Sequence, residues 1–280
     1  MATPITLHAV QSPKPVALFP PGRRVPVDRS TMADLLQLMG AEDTGASLLN
    51  SLPVPTRRLR AGETLFHEGA RAESIYFVRS GTFKTFHTAE DGYEQVLGFV
   101  GRAEVLGFDA LCTQGHPTEA VALEDSTVYV LLLRDLFVLA ERHPAFGRVV
   151  HLAVSNALTR QGELADVMAA VAAEVRLARF LMHLSHRMAA CGHSPRCFVL
   201  RMGRRDIASY LGVAHETVSR CFSALAGWAL VEVDNRKVSI VDMDGLRAFA
   251  RGTRRQIDEA SRACLTRGIT ACHGAERQAS

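Results

Sequence analysis

A chain of 280 residues with 48% apolar and 22% charged side chains has room for two ordinary domains, each with its own core, and lies far from disordered or disulfide-scaffold compositions. Its formal charge of +3 is unevenly spread: residues 196–255 hold eleven Lys/Arg against six Asp/Glu, whereas residues 88–125 hold one against eight. That asymmetry suits docking on nucleic acid by one end, while short apolar runs and a proline-broken N-terminus argue against a membrane span or export signal, so a cytoplasmic location is expected.

Residues 1–45, rich in proline, glycine and polar side chains, read as a flexible N-terminal arm with a short helix around 32–39. From 46 to 143 the texture changes to short β-prone runs at 64–66, 74–78, 83–87, 95–100 and 127–132. Glycines such as Gly62, Gly69, Gly81, Gly92 and Gly101 lie near the breaks. Evenly spaced short strands with turn signals predict an antiparallel sandwich or roll, followed by a short helix over 134–142 that ends at His143-Pro144. The next helix occupies 144–171. Along it Val154, Leu158, Gln161, Ala165 and Met168 follow a 4-3-4-3 spacing, which fits either a two-stranded coiled-coil seam or a helix packed on its own domain.

Beyond a hinge near 169–173, Val175, Leu177, Ala178, Leu181, Leu184 and Met188 mark a further helix, with Gly192 just past its end. A short strand is expected over 197–201. Residues 204–225 then form two brief helical patterns. Ile207, Ala208 and Leu211 share the first apolar face, and Val218, Phe222 and Leu225 the second, with Gly212 at the break, where a tight turn wants positive φ. This is a helix-turn-helix pattern, whose second helix enters the DNA major groove. On the polar side of that helix Glu216, Ser219 and Arg220 stand at i, i+3 and i+4. A carboxylate accepts from the cytosine amine, a guanidinium grips guanine O6 and N7, and a hydroxyl serves either base edge. The plainer alternative is a solvated face with an internal Glu216–Arg220 ion pair. Two β runs, 230–233 and 237–241, flank a polar tip and predict a hairpin wing. Arg236 and Lys237 there either reach phosphate or only solubilise a turn. Residues 251–280 read as a polar, basic C-terminal extension, which leaves 172–250 as the DNA-binding unit.

The segment DIASYLGVAHETVSR resembles the DNA-binding motif of the cyclic-AMP receptor protein/FNR superfamily, on its FNR-type branch, where the recognition helix carries Glu-x-x-Ser-Arg. The cyclic-AMP receptor branch has arginine and glycine where this chain has His215 and Ser219. The runs GETLFHEG and IYFVRSGTFK similarly resemble the superfamily's cyclic-nucleotide-binding β-roll, so the likeness extends over roughly residues 50–250. It implies an α+β architecture: a cyclic-nucleotide-binding-like β-roll, a long dimerisation helix and a C-terminal winged helix-turn-helix. It further implies a homodimeric regulator, an activator, that reads TTGA-type half-sites as an inverted repeat, touches RNA polymerase and serves low-oxygen or nitrogen-oxide responsive genes. Glu216, Ser219 and Arg220 would read bases, while Arg204, Arg205, His215, Thr217, Arg236 and Lys237 would hold the backbone or flanks. One departure is Ala214, where relatives place a capping Ser or Thr, at a cost of about 1 kcal/mol.

The same likeness bears on cofactors. FNR itself carries cluster-binding cysteines near its N-terminus; here the first cysteine is Cys112, which argues against an iron–sulfur cluster. Cyclic AMP is not expected either, because by eye Ala103-Glu104 and Pro117-Thr118 replace the Gly-Glu and Arg-Ser pairs, leaving no arginine for a buried phosphodiester. Haem stays open as a carrier of nitric oxide, with His67, His87, His116, His143 and His151 as candidate ligands in or near the sensor. His183 and His186 at i, i+3 make a poor metal pair by themselves, and no metal is expected there. Cys191 and Cys197 read as separate thiols. Cys221, next to Arg220, is a candidate redox site whose oxidation would weaken DNA binding. The competing functions are a redox- or haem-linked sensor regulator of the same fold, a roll-regulated enzyme and a protein-only signalling adaptor. No catalytic motif supports the enzyme.

Overall fold

The computed structural model describes residues 30–41, 48–113 and 115–252. Eight strands form the roll: β1 (Thr56–Leu59), β2 (Thr64–Phe66), β3 (Ser74–Ser80), β4 (Phe83–Thr88), β5 (Glu94–Val100), β6 (Val105–Leu106), β7 (Glu119–Ala122) and β8 (Ser126–Leu132). They pair antiparallel in two four-stranded sheets, ordered β1-β8-β3-β6 and β2-β7-β4-β5. Val78 on β3, Phe83 on β4, Ala120 on β7 and Val128 on β8 turn inward as one apolar cluster, as alternating strands covering a shared core require. The β3–β4 turn demands glycine: Gly81 has φ 95°, and a Cβ there would stand 2.0 Å from Ser126 Oγ.

One expected boundary moves. The helix anticipated inside the arm, α1 (Met32–Leu38), starts from a capping box between Thr31 and Asp34. It buries Met32, Leu35 and Leu36 against the same cluster as Phe77 and Phe146. Residues 30–41 therefore belong to the roll domain; the remainder of the expected arm and extension, 1–29, 42–45 and 253–280, lies outside the described residues.

Helices α2 (Leu133–Arg142) and α3 (Pro144–Ala169) follow, the second opened by a proline at its first turn. Asp135 in the first turn of α2 is 6% exposed, its Oδ2 has no hydrogen-bond partner, and the nearest cation is Arg134 at 3.8 Å. Burial pushes its carboxyl pKa up, with Arg134 only partly opposing. A raised carboxyl pKa means that the folded chain favours the protonated form, so stability falls as pH climbs through the folded value and the cost persists at neutrality. Asp135→Asn is expected to stabilise the fold by about 1 kcal/mol at pH 7 and by less as pH approaches about 4. Thermal unfolding at the two pH values checks this, and an equal effect at both would refute it.

The C-terminal domain comprises α4 (Ala173–Ala190), β9 (Cys197–Val199), α5 (Arg204–Leu211), α6 (His215–Gly227), β10 (Val231–Asp234), β11 (Lys237–Ile240) and α7 (Met243–Arg251). Leu177, Leu181, Ile207, Val218, Phe222, Leu225 and Val238 converge in its core. Its three-stranded sheet runs β10-β11-β9. This core continues into the roll. Tyr210 of α5 lies 5.3 Å from Phe99 of β5 and 5.4 Å from Phe180 of α4, ring centre to ring centre. Strand β5 is the edge of its sheet, and Ser209 takes the place of a neighbouring strand: its Oγ accepts from Val96 N–H at 2.8 Å and donates to the Glu94 carbonyl at 2.7 Å. Gln95 Nε2 donates to the Ser209 carbonyl. Lys84 bridges to Asp206, Arg201 to Glu124, and Arg187 donates to the Phe99 carbonyl. No described helix is long and apolar enough to cross a membrane.

Candidate nucleic-acid interface

Helix α5 stops where Gly212 turns left-handed at φ 61°, its N–H bonding back to the Ala208 and Ser209 carbonyls, and α6 restarts at His215. Ala208, 4% exposed, gives the two helices room to meet. Ala214 precedes α6 without any side-chain cap, as its methyl dictates. Val218, Phe222 and Leu225 point inward, which leaves Glu216, Ser219 and Arg220 exposed together on the outer side. The Glu216–Arg220 ion pair of the plainer alternative does not form, and each side chain makes a shorter-range contact instead. Glu216 takes His215 Nδ1 at 3.2 Å, and Arg220 donates to Thr217 Oγ1 at 3.3 Å. A bond from its own backbone N–H, then the His215 imidazole, hold the Glu216 carboxyl below its usual range. The outer face thus offers a fixed acceptor, a hydroxyl and a five-donor fork, the chemistry that base edges in a major groove can answer.

The backbone-contact candidates divide. Arg205, His215, Arg236 and Lys237 are exposed, Arg236 in the hairpin turn and Lys237 at the start of β11, while Thr217 is half-buried and engaged by Arg220. Arg204 departs from expectation: it folds back on the protein, its guanidinium 3.7 Å from the Phe222 ring centre and bonded to the Asn235 carbonyl at 3.2 Å. Cys221 departs as well. One residue on from Arg220 is about 100° further around the helix, which turns its sulfur into the core at 1% exposure. Burial pushes that thiol up to about 11, with Glu174 adding to the shift and Arg220 opposing, so it is neither accessible nor a thiolate, and the redox role expected for it does not stand.

On α3, Val154, Leu158, Gln161, Ala165 and Met168 are not part of the buried core, Leu158 being 63% exposed, while Phe146, Val149, Ala153 and Val167 face the chain's own core. The spacing leaves that stripe open between a seam and a packed face; within the described residues the chain does not cover it. His183 joins α4 to α3 through Asp166 at 3.1 Å and Glu163 at 3.8 Å, whereas His186 lies nearer solvent. Cys112, Cys191 and Cys197 are exposed free thiols, and among the described residues no group of three or more His, Cys, Asp or Glu side chains is placed to hold a metal ion.

A cavity of about 280 Å³ lies where β5, α3, α4 and α5 meet, walled by Phe66, Gly107, Asp109, Thr118, Arg160 and Arg187 among others. Ala103 and Glu104 are not in its wall; Glu104 instead pairs with Arg160 at 3.1 Å from outside. Pro117 is exposed, Thr118 Oγ1 is spent on Asp109 at 3.2 Å, and both arginines already face Glu104. Among the described residues no histidine lines the cavity. His116 is buried flat against Phe66 with ring centres 3.8 Å apart, burial holding its pKa down against Asp109. His67 and His87 are exposed and bound to Glu119 and Glu68.

Residues 56–143 match the family description of the cyclic nucleotide-binding domain, and residues 175–249 that of the Crp-like helix-turn-helix domain. A roll of this kind joined through a long helix to an exposed winged reading head defines a two-domain, DNA-binding transcription regulator. The chain belongs to the Crp/Fnr family. It is 36% identical over 190 residues to the transcriptional regulatory protein Btr of Bordetella pertussis, covering 68% of this chain and 78% of that one. To the fumarate and nitrate reduction regulatory protein of Escherichia coli it is 35% identical over 196 residues, 70% of this chain and 78% of the other. The solved structure of FixK2 from Bradyrhizobium japonicum superimposes with a TM-score of 0.64 at 25% identity, covering 72% of this chain and all of that one.

Proposed function

We propose that the protein acts as a homodimer in the cytoplasm, binds inverted repeats of TTGA-type half-sites, and activates transcription of low-oxygen or nitrogen-oxide responsive genes by contacting RNA polymerase. The observation that carries the reading is the exposed Glu216–Ser219–Arg220 face on a helix whose opposite side is locked in a core. Glu216 and Arg220 read bases, Ser219 assists, and Arg205, Arg236 and Lys237 neutralise phosphates on either side. The uncovered stripe on α3 supports pairing of two copies, which a palindromic site requires. The name of one relative supports activation: the transcriptional activator Anr of Pseudomonas protegens is 36% identical over 197 residues. The proposal assigns no cofactor. Fluorescence anisotropy with a TTGA inverted repeat and a scrambled duplex at matched salt tests it. Specific binding is expected to exceed non-specific binding by about 10³-fold or more, and equal affinity for the two duplexes would overturn it.

A further inference from the structure

Arg204, placed by the sequence among the phosphate-holding cations, is turned away from solvent. It heads α5, and its guanidinium lies over Phe222, a ring of the recognition helix that is only 4% exposed. Its Nη2 donates to the carbonyl of Asn235, a left-handed residue (φ 52°) in the wing turn. Its Nη1 is closed off from water without a hydrogen-bond partner, which a cation tolerates only where packing holds it. Desolvation lowers its pKa, as befits a half-buried guanidinium. The wing is also tied by the β11–β9 ladder, with Lys237 opposite Val199, and by Leu200 N–H to the Arg236 carbonyl at 2.8 Å. Arg205, the next residue, is exposed.

We infer that Arg204 is a positioning residue for DNA reading: a strut that fixes the wing turn at a set distance from the recognition helix, so that Arg236 and Lys237 meet phosphate when Glu216 and Arg220 meet bases. The inference rests on the DNA-reading assignment above. Its consequence differs from that of a phosphate ligand. A lysine keeps the charge of a phosphate contact but cannot lie flat on a ring while holding a carbonyl with a planar fork. A strut acts through the wing, so its loss should erase what the wing contributes.

The test uses the full chain, a TTGA inverted-repeat duplex and a salt series, with Arg204→Lys, Arg204→Met, the double change Arg236→Ala/Lys237→Ala, and the combinations. The wing change alone is expected to weaken binding and to flatten the salt dependence by about one unit for each phosphate it leaves without a cation. In either Arg204 background that wing penalty should shrink about tenfold or vanish, and Arg204→Lys should behave like Arg204→Met. Phe222→Leu removes the ring while leaving Arg204 in place. It should likewise abolish the wing penalty, and it decides the matter should the Arg204 variants unfold. Wild-type behaviour of Arg204→Lys, a wing penalty unchanged in the Arg204 and Phe222 variants, or no wing penalty in the wild type would each overturn the inference. Failure of the wild type to prefer the operator is visible in the first arm and would sink the DNA-reading assignment itself.

Discussion

Arg220→Ala is expected to cost about 1–3 kcal/mol of operator binding and, more tellingly, to erase the preference for one base pair in each half-site. The side chain is exposed and is steadied by Thr217 Oγ1, while Glu216 is engaged by His215. It therefore meets DNA with its donor fork largely unspent. Arg220→Lys should restore attraction but little discrimination, because an ammonium cannot make the paired bonds to O6 and N7. Arg236→Ala should lower affinity for every sequence alike. A panel of single-base operator variants separates these outcomes. Should Arg220→Ala lose affinity evenly across the panel, the residue is a phosphate ligand and base reading must lie elsewhere on α6.

Leu158→Glu is expected to convert the protein from dimer to monomer and to weaken operator binding by about 10²–10⁴-fold, the gain forfeited when two half-sites are no longer engaged as one event. Leu158 is the most exposed of the large apolar seam side chains, and burying it against its counterpart is worth about 1.5–3 kcal/mol per chain. A carboxylate there would face its twin and Val154 in an apolar seam. Because Leu158 is exposed among the described residues, the substitution should leave the melting behaviour of the roll core nearly unchanged. Sedimentation alongside half-site and full-site binding checks it. A dimer that survives Leu158→Glu would place the subunit interface on another surface.

Much of the molecule is legible locally. The break at Gly212, the two apolar faces around it and the hairpin near 234–237 are set by neighbours three or four residues apart, and they appear where the pattern puts them. The strands with β-branched or aromatic alternation are also found. β1 and β7 are less visible, because Thr56–Leu59 carries two arginines and Glu119–Ala122 is mostly alanine and acid, so that only pairing to β8 and β4 defines them. The stripe on α3 reads as a seam or a packed face with equal ease, since spacing says which residues align but not what they meet. Arg204 and Cys221 are misjudged from sequence for one reason: adjacency along the chain says little about direction on a helix. Arg204 is told from Arg205 only by Phe222 and Asn235, which lie 18 and 31 positions away. The charge imbalance is plain in the sequence, but part of its use is not. Glu104 and Glu124 of the acidic stretch pair with Arg187 and Arg201 of the C-terminal domain, so some of the complementarity is internal.

Ser209 gives the molecule a property that neither half has alone. By filling hydrogen-bonding positions along β5, it gives the reading head a second duty as a bumper on the outermost strand of the sensor, where a stranger's backbone would otherwise stick. Swinging the head away would bare a tacky margin with Phe99 beside it, so any large excursion of the head would carry a built-in hazard of self-adhesion.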